Sequence, residues 1–325
     1  MRGLEPPPKT ETPSKLVARF LTLIIFASGA GIAIYAAVTN QTADIAEDIR
    51  PVNLDLEDTT VIDGLRTNVR VDGGGPTPVV ILHDDDVTGG LILDRISIAL
   101  DDEYHGVRLD LPGFGYSSRM PVEGSHHTVS GLADLIAPVL EERFAQPVLL
   151  IGVGLGGEVA AELALTFAHL VDGFVMVDVD FWSNPSFITN LQSRPWLGKS
   201  AVYTWETGGR YGLTNWSPYC EEGGWCPTVE QASVRSVIVE VERTTDSFVA
   251  FRRTRDAALA PANLANISVP AAYVWSTDGE VGQDTIDRLT EEMPRIEIVE
   301  SETFQAHLED ADTVADALAM VARGE

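Results

Sequence analysis

One stretch of the sequence, residues 148–170, places a buried strand, a tight turn and a helix in immediate succession. Val148 to Ile151 is an apolar run, the turn follows as Gly152-Val153-Gly154-Leu155-Gly156, and Glu158 to Leu170 is predicted to be a helix. Small residues around the turn let strand and helix pack closely. A strand that is apolar on both faces is typical of a parallel sheet covered by helices. This stretch therefore predicts an α/β architecture.

The rest of the chain repeats the alternation of strands and helices. A hairpin is predicted at Thr60–Ile62 and Thr67–Val71, joined by Asp63-Gly64. Further strands are predicted at 78–82, 107–109, 174–179, 271–275 and 296–299, and further helices at 90–100, 128–144, 284–293 and 312–321. The pattern predicts a mainly parallel sheet with helices on both faces.

Composition limits the class of protein and its partners. The chain has 325 residues, 45% hydrophobic and 22% charged, which suits one large folded domain with appendages. The net charge is −27; the first 40 residues hold four basic and two acidic side chains, so they carry +2 and the remainder −29. A domain this acidic repels polyanions, which argues against nucleic-acid binding. Nothing in the pattern calls for a cofactor.

An apolar segment at 16–38 predicts one transmembrane helix between a tail at 1–15 and a linker at 39–53. Its uncharged part, Phe20 to Val38, is 19 residues long, or about 28 Å as a helix, close to the thickness of a bilayer core. A cleaved signal peptide is the alternative, but its apolar region is usually only about 7–15 residues. Basic residues before the span and acidic ones after it place the tail in the cytoplasm and the domain in a periplasmic or luminal space.

Small residues within this segment suggest a second partner besides the lipid bilayer. Ala27, Gly29, Gly31 and Ala33 are spaced so that another helix can approach closely, which predicts an integral membrane protein as partner. The alternative is that glycine and alanine are simply common in membrane helices, and the sequence leaves both open.

The alternation of strands and helices is interrupted between the core segments 54–180 and 270–325. The insert at 181–269 contains five of the six tryptophans and both cysteines, and is predicted to be a cap over the sheet. Cys220 and Cys226 have no nearby histidine to complete a metal site, so a local disulfide is the best interpretation. A disulfide requires an oxidising compartment, in agreement with the predicted topology.

Five segments, in the right order, resemble the α/β-hydrolase family, in particular the group with a cap after the sixth strand. The resemblance runs from about Thr60 to the C-terminus and predicts that fold, preceded here by a transmembrane helix. The segments are the hairpin at 63–71, Val79-Val80-Ile81-Leu82-His83, Asp110-Leu111-Pro112-Gly113-Phe114-Gly115-Tyr116-Ser117, the turn at Gly152–Gly156 and Gln305-Ala306-His307-Leu308-Glu309. In that family the turn is a nucleophile elbow with serine at the centre of Gly-x-Ser-x-Gly.

The resemblance implies an active site that this chain does not complete. The nucleophile position is Gly154, which has no attacking atom. The usual acid position falls on Gly279, flanked by Asp278 and Glu280, with Asp178 or Asp180 as substitutes. His307 is retained, either as a relic hydrogen-bonded to Asp278 or Asp178 or as a catalytic base.

The loop after the first parallel strand also departs from the family. Where His-Gly is usual, this chain has His83-Asp84-Asp85-Asp86, and carboxylates there oppose a developing oxyanion. The run is interpreted as a solvated loop or a contact for a basic partner rather than a calcium site. His126-His127 lacks the spacing of metal ligands, so no metal is expected.

These departures predict a non-catalytic, membrane-anchored accessory or interaction subunit of a membrane complex. Neuroligins and the N-myc-downstream-regulated proteins are precedents for hydrolase-like proteins without a working triad. Two alternatives remain: a residual hydrolase of esters or related substrates that uses His307, and a small-ligand receptor that uses the capped pocket, as gibberellin receptors do.

Overall fold

A computed structural model describes most of the region from residue 58 to residue 324. The described residues are 58–100, 102–121, 124–182, 187–194, 197–208, 234–235, 237–239, 241, 243–255 and 264–324. The predicted helix at 16–38, its small-residue face and the predicted Cys220–Cys226 disulfide lie outside them. Within the described part, no helix has both the length and the apolar character needed to cross a bilayer.

The described strands form one eight-stranded sheet. Its spatial order is β1-β2-β4-β3-β5-β6-β7-β8, with antiparallel pairing at β1–β2 and β2–β4 and parallel pairing from there on. The strands are β1 (Asp58–Ile62), β2 (Leu65–Gly73), β3 (Thr77–Leu82), β4 (Tyr104–Leu109), β5 (Val148–Val153), β6 (Val171–Val177), β7 (Ala271–Ser276) and β8 (Glu297–Ser301). The predicted α/β class and mainly parallel sheet are confirmed.

Helices cover both faces of this sheet, and each side has its own apolar layer. Leu132, Ile136 and Val159 belong to one layer, and Ile96 and Leu318 belong to the other. The helices are α1 (Asp94–Ala99), α2 (Val129–Arg143), α3 (Leu155–Thr166), α4 (Phe187–Gln192), α5 (Gly198–Gly208), α6 (Thr244–Arg255), α7 (Gln283–Glu292), α8 (Ala306–Glu309) and α9 (Ala311–Arg323). Of these, α4 to α6 come from the predicted cap.

Two helices begin elsewhere than predicted. The helix after the tight turn starts at Leu155 rather than Glu158, because the Gly154 carbonyl already accepts the Glu158 N–H at 3.2 Å. The helix predicted at 90–100 is split into a 3-10 turn, Gly89–Leu93, and α1. There the Gly90 N–H donates to the Asp110 carboxylate, which ties the turn to the end of β4.

The described part of the cap rests on the core through aromatic contacts. Phe114, in the loop after β4, meets Phe248 and Phe251 of α6 edge-on, with ring centroids 4.9 Å and 5.8 Å apart. All three side chains are buried. This contact seats α6 above the carboxyl ends of β3 and β4, where the candidate site lies.

Candidate functional site

The tight turn between β5 and α3 has an unusual backbone that suits its central glycine. Gly154 has φ 49° and ψ −115°, a conformation that glycine adopts at little cost and other residues adopt under strain. Gly156 is also required, because a Cβ there would collide with the Leu82 carbonyl oxygen. The elbow geometry is therefore present, and its central residue carries no nucleophile.

The carboxylate of Asp84 fills the space where a side chain at position 154 would stand. A Cβ built on Gly154 would overlap the carboxylate carbon and oxygens of Asp84. Asp84 Oδ1 also accepts a hydrogen bond of 2.8 Å from the Leu155 N–H. That N–H is one of the free donors at the start of α3, where the helix dipole favours negative charge. The elbow thus holds an anion supplied by the chain itself.

This placement affects two parts of a hydrolase site at once. In active members of the fold, the N–H after the nucleophile helps to stabilise the oxyanion of the tetrahedral intermediate. Here Leu155 occupies that position, and its N–H is already bonded to Asp84. The sequence predicted that carboxylates here would oppose an oxyanion, and in the structure one of them accepts the hydrogen bond of this donor.

His83 fixes the loop that carries Asp84. Its Nε2 accepts the Leu111 N–H at 2.8 Å, so the proton is on Nδ1, which donates to the Asp84 carbonyl oxygen. The ring is fully buried, meets Phe114 edge-on at 5.3 Å, and burial lowers its pKa, so it is neutral at pH 7. His83 therefore holds the loop in place and does not face a substrate.

The other two carboxylates of the run bind arginines of the cap. Asp85 forms an ion pair with Arg252 of α6, and Asp86 forms one with Arg235. Burial alone would raise the pKa of Asp86, but Arg235 and the hydrogen bonds from Thr88 bring it below its usual range. Asp85 and Asp86 are only 15% and 14% exposed, so the interpretation of this run as a solvated loop is wrong. The basic groups that they contact belong to the same chain.

The usual acid position has no room for a carboxylate. A Cβ on Gly279 would lie 2.8 Å from the Phe304 carbonyl oxygen and 2.9 Å from that of Ser276. The neighbouring Asp278 is exposed to solvent. Neither residue, as placed here, supplies a buried acid.

Asp178, the possible substitute at the end of β6, binds a serine. Its Oδ1 accepts the Ser276 N–H at 2.8 Å, its Oδ2 accepts the Ser276 hydroxyl at 2.6 Å, and the same hydroxyl accepts the Ala306 N–H. Its backbone is strained, with φ 51°, and burial raises its pKa. This network ties β6, β7 and α8 together.

His307 is brought to the site without an acid partner. Its side chain is 7% exposed, and its Nδ1 makes no hydrogen bond within the described part of the chain. Burial lowers its pKa to about 4, with the Asp86 carboxylate partly opposing the shift. The expected pairing with Asp278 or Asp178 is not formed, because Asp278 faces solvent and Asp178 is directed to Ser276.

The best match to the family, the Asp110–Ser117 segment, proves to be structural. Asp110 is fully buried and accepts from Asn68 Nδ2 at 2.8 Å, Arg70 Nη1 at 3.0 Å, the Gly90 N–H at 2.7 Å and the Tyr116 N–H at 2.9 Å. It ties β2, β4 and two loops together.

Sequence reasoning missed the two cap arginines, Arg235 and Arg252. The only available signal was the need to neutralise three successive carboxylates, and many arginines satisfy that need equally. Among the described residues, no three histidine, cysteine or acidic side chains are arranged to hold a metal ion.

Comparison with known proteins places this geometry in a family. The model of a family described as "Alpha/beta hydrolase family" matches residues 79–317, well over half of the chain. The chain belongs to the alpha/beta hydrolase family. The resemblance drawn from the sequence is thereby confirmed at the level of the family.

Solved structures agree on the fold. The epoxide hydrolase CorEH superposes with a TM-score of 0.64 at 19% identity, covering 82% of this chain and 99% of that one. An enol-lactonase from Burkholderia xenovorans gives 0.64 at 18% identity, covering 82% and 100%. Identities this low show the fold alone.

Curated relatives match over short stretches. The dihydrolipoyllysine-residue acetyltransferase component of the acetoin cleaving system of Cupriavidus necator is 36% identical over 107 residues, 32% of this chain and 27% of that protein. Protein NDRG4-A of Xenopus laevis is 34% identical over 73 residues, 22% and 19%. This chain therefore spans only about a quarter or less of these relatives.

Proposed function

We propose that this chain is a non-catalytic member of its family that acts by binding, as a membrane-anchored accessory subunit of a membrane protein complex. The observation that carries the non-catalytic part is the Asp84 carboxylate, which stands in the place of a side chain at position 154 and is bonded to the Leu155 N–H.

Three losses at one site make turnover by the family's serine mechanism unworkable. The elbow has no hydroxyl, the retained His307 has no acid on its Nδ1, and an oxyanion donor is occupied. Removing a catalytic serine or histidine alone costs roughly 10⁶ in kcat in one well-studied hydrolase. Losing one oxyanion donor costs about 10²–10³ more. A site with all three losses lacks the groups that catalyse acyl transfer by this mechanism.

The membrane and partner parts of the proposal rest on the sequence. The apolar segment at 16–38, the basic residues before it and the spacing of Ala27, Gly29, Gly31 and Ala33 support an anchor that packs against another helix. The acidic domain that follows supports a location on the opposite side of the membrane from the tail.

The test uses the full chain purified from its native membrane in mild detergent. We expect no turnover of ester, lactone or epoxide substrates above that of a His307→Ala variant, no labelling by a fluorophosphonate serine probe, and elution in a complex larger than the monomer. Turnover that His307→Ala abolishes would refute the non-catalytic part. Elution as a free monomer, with turnover still absent, would refute only the accessory part.

A second candidate function is favoured by one specific arrangement, a carboxylate at the elbow together with a neutral histidine. A carboxylate is itself a nucleophile in some enzymes, and His307, whose burial lowers its pKa to about 4, is unprotonated at pH 7. In this candidate, Asp84 attacks an epoxide carbon, the ring C–O bond breaks, and the ring oxygen takes a proton from solvent. Water deprotonated by His307 then attacks the Asp84 ester carbonyl, and the proton returns to the released hydroxyl group.

Isotope labelling separates the two candidates. If Asp84 forms an ester, turnover in H₂¹⁸O leaves at least one ¹⁸O atom in its carboxylate, which peptide mass spectrometry detects, and Asp84→Asn abolishes turnover. If the chain is non-catalytic, the Asp84 peptide keeps its mass after prolonged incubation with substrate. Binding of an epoxide without incorporation of label would support the non-catalytic part of the first proposal and exclude the second.

A further inference from the structure

Three consecutive carboxylates of one loop contact three different parts of the molecule. Asp84 bonds to Leu155 at the start of α3, Asp85 pairs with Arg252 of α6, and Asp86 pairs with Arg235. The same three-residue stretch, 84–86, therefore contacts both the elbow and the cap.

The loop is tightly built, so these contacts cannot move independently. The Asp86 N–H donates to the Asp84 carbonyl oxygen at 2.7 Å, and the Gly89 N–H donates to the Asp86 carbonyl oxygen at 3.1 Å. Asp86 Oδ1 also accepts the Thr88 N–H at 2.8 Å. A shift of Asp85 or Asp86 toward a departing cap is transmitted to Asp84 because so little chain separates them.

We propose that residues 84–86 form an intramolecular latch: the two cap arginines hold Asp85 and Asp86, and this hold keeps Asp84 seated in the elbow. When α6 and the Arg235 segment move away, Asp84 leaves the elbow and the Leu155 N–H becomes available to an external anion. A partner or ligand that shifts the cap thereby opens the anion-binding position at α3.

Burial gives the latch its strength. The side chain of Arg235 is 1% exposed and that of Asp86 14%, while Arg252 and Asp85 are 16% and 15% exposed. Removing one partner of a buried ion pair leaves an uncompensated charge, so a variant that lacks one of these partners should be perturbed more than a variant that lacks one partner of a surface pair. The Asp86 pair is the more deeply buried and is expected to contribute most.

The Leu155 amide reports directly on the latch. As the first residue of α3, Leu155 has no carbonyl partner within its own helix for its N–H, and its hydrogen bond goes to Asp84 instead. Its hydrogen exchange therefore measures how often Asp84 leaves the elbow. The measurement does not involve turnover, so its outcome tests the latch independently of the non-catalytic proposal.

The experiment compares hydrogen–deuterium exchange at Leu155 in the full chain and in charge-neutral variants, by mass spectrometry of overlapping peptides. We expect Asp85→Asn combined with Asp86→Asn to raise the exchange rate at Leu155 by about tenfold or more, approaching the rate in Asp84→Ala. The control is Asp72→Asn, which removes the carboxylate paired with Arg108 at 2.6 Å in the sheet, outside the cap, and should leave the rate at Leu155 unchanged.

Two outcomes overturn the latch. One is an unchanged Leu155 rate in the double variant, and the other is an equal rise in Asp72→Asn, which would mean a general loosening of the fold. If the double variant does not fold, Arg252→Gln breaks the half of the latch that lies nearer to solvent. An unchanged Leu155 rate in that variant then counts against the proposal, and a rise supports it.

Discussion

Two loops at the carboxyl end of the sheet are each built around a carboxylate, yet they differ in what they keep from the family. The loop after β4 keeps the family's sequence, and its Asp110 is bound to Asn68, Arg70 and two backbone N–H groups. The loop after β3 has lost the family's glycine, and its Asp84 is bound to the elbow that it fills.

The difference shows which family residues serve structure and which serve chemistry. Asp110 joins strands and turns, so its contacts serve the fold of this chain and do not depend on any chemistry at the elbow. Asp84 lies at a position where an active hydrolase needs an empty, electropositive space. In this chain a carboxylate lies there and gains a contact, because the helix N-terminus favours an anion.

The largest expected effect is at the retained loop. Asp110→Ala leaves the Arg70 guanidinium without its carboxylate and two buried N–H groups without an acceptor, so we expect a loss of about 3–5 kcal/mol in the free energy of unfolding. Urea denaturation followed by tryptophan fluorescence measures it. The matched control, Asp72→Ala, removes the partner of Arg108 at a site where Asp72 is 32% exposed, and should cost clearly less. Equal losses of unfolding free energy in the two variants would mean that the contacts of Asp110 stabilise the fold no more than the pair of Asp72 and Arg108 does.

A smaller effect is expected at His307, which keeps the family's identity at the altered site. Its folded-state pKa of about 4 lies below the ordinary value of 6.5, so between these values the unfolded chain binds a proton that the folded chain does not. Stability from this group is therefore present above pH 6.5 and is lost as the pH falls toward 4, by about 3 kcal/mol in total.

The measurement is the difference in urea midpoint between the wild type and His307→Asn at pH 7 and at pH 4.5. The variant should be relatively more stable at the lower pH, because it has no proton to take up on unfolding. A difference that does not change with pH would show that His307 is accessible to protons in the folded state.

The smallest effect is expected at the elbow, where Asp84 of the loop after β3 meets Gly154. Gly154→Ser places a side chain where Asp84 already stands and imposes a strained backbone, so we expect a loss of about 2 kcal/mol and no reaction with a fluorophosphonate. Adding Asp84→Gly should relieve the overlap, so the double variant should be more stable than the sum of the two single effects predicts. If the stability changes of the two single variants simply add in the double variant, Asp84 does not occupy the elbow. If the fluorophosphonate labels Gly154→Ser alone, the remaining site still supports catalysis.

Much of the fold could be predicted from the sequence because its signals are local. The apolar runs of β5 and β6 and the hairpin at the start are patterns of neighbouring residues, and they predicted the right class of sheet. The start of α3 was misplaced because helical bonds begin at the turn residue itself, whose glycine resembles part of a loop.

By itself, the sequence determined that the elbow has no nucleophile, since the identity of residue 154 decides that. Only the tertiary structure decided what stands there instead. Asp84 and Leu155 are 71 residues apart, and Asp86 and Arg235 are 149 apart. No local pattern records such contacts, because they depend on which strand ends and cap residues the folded sheet brings together.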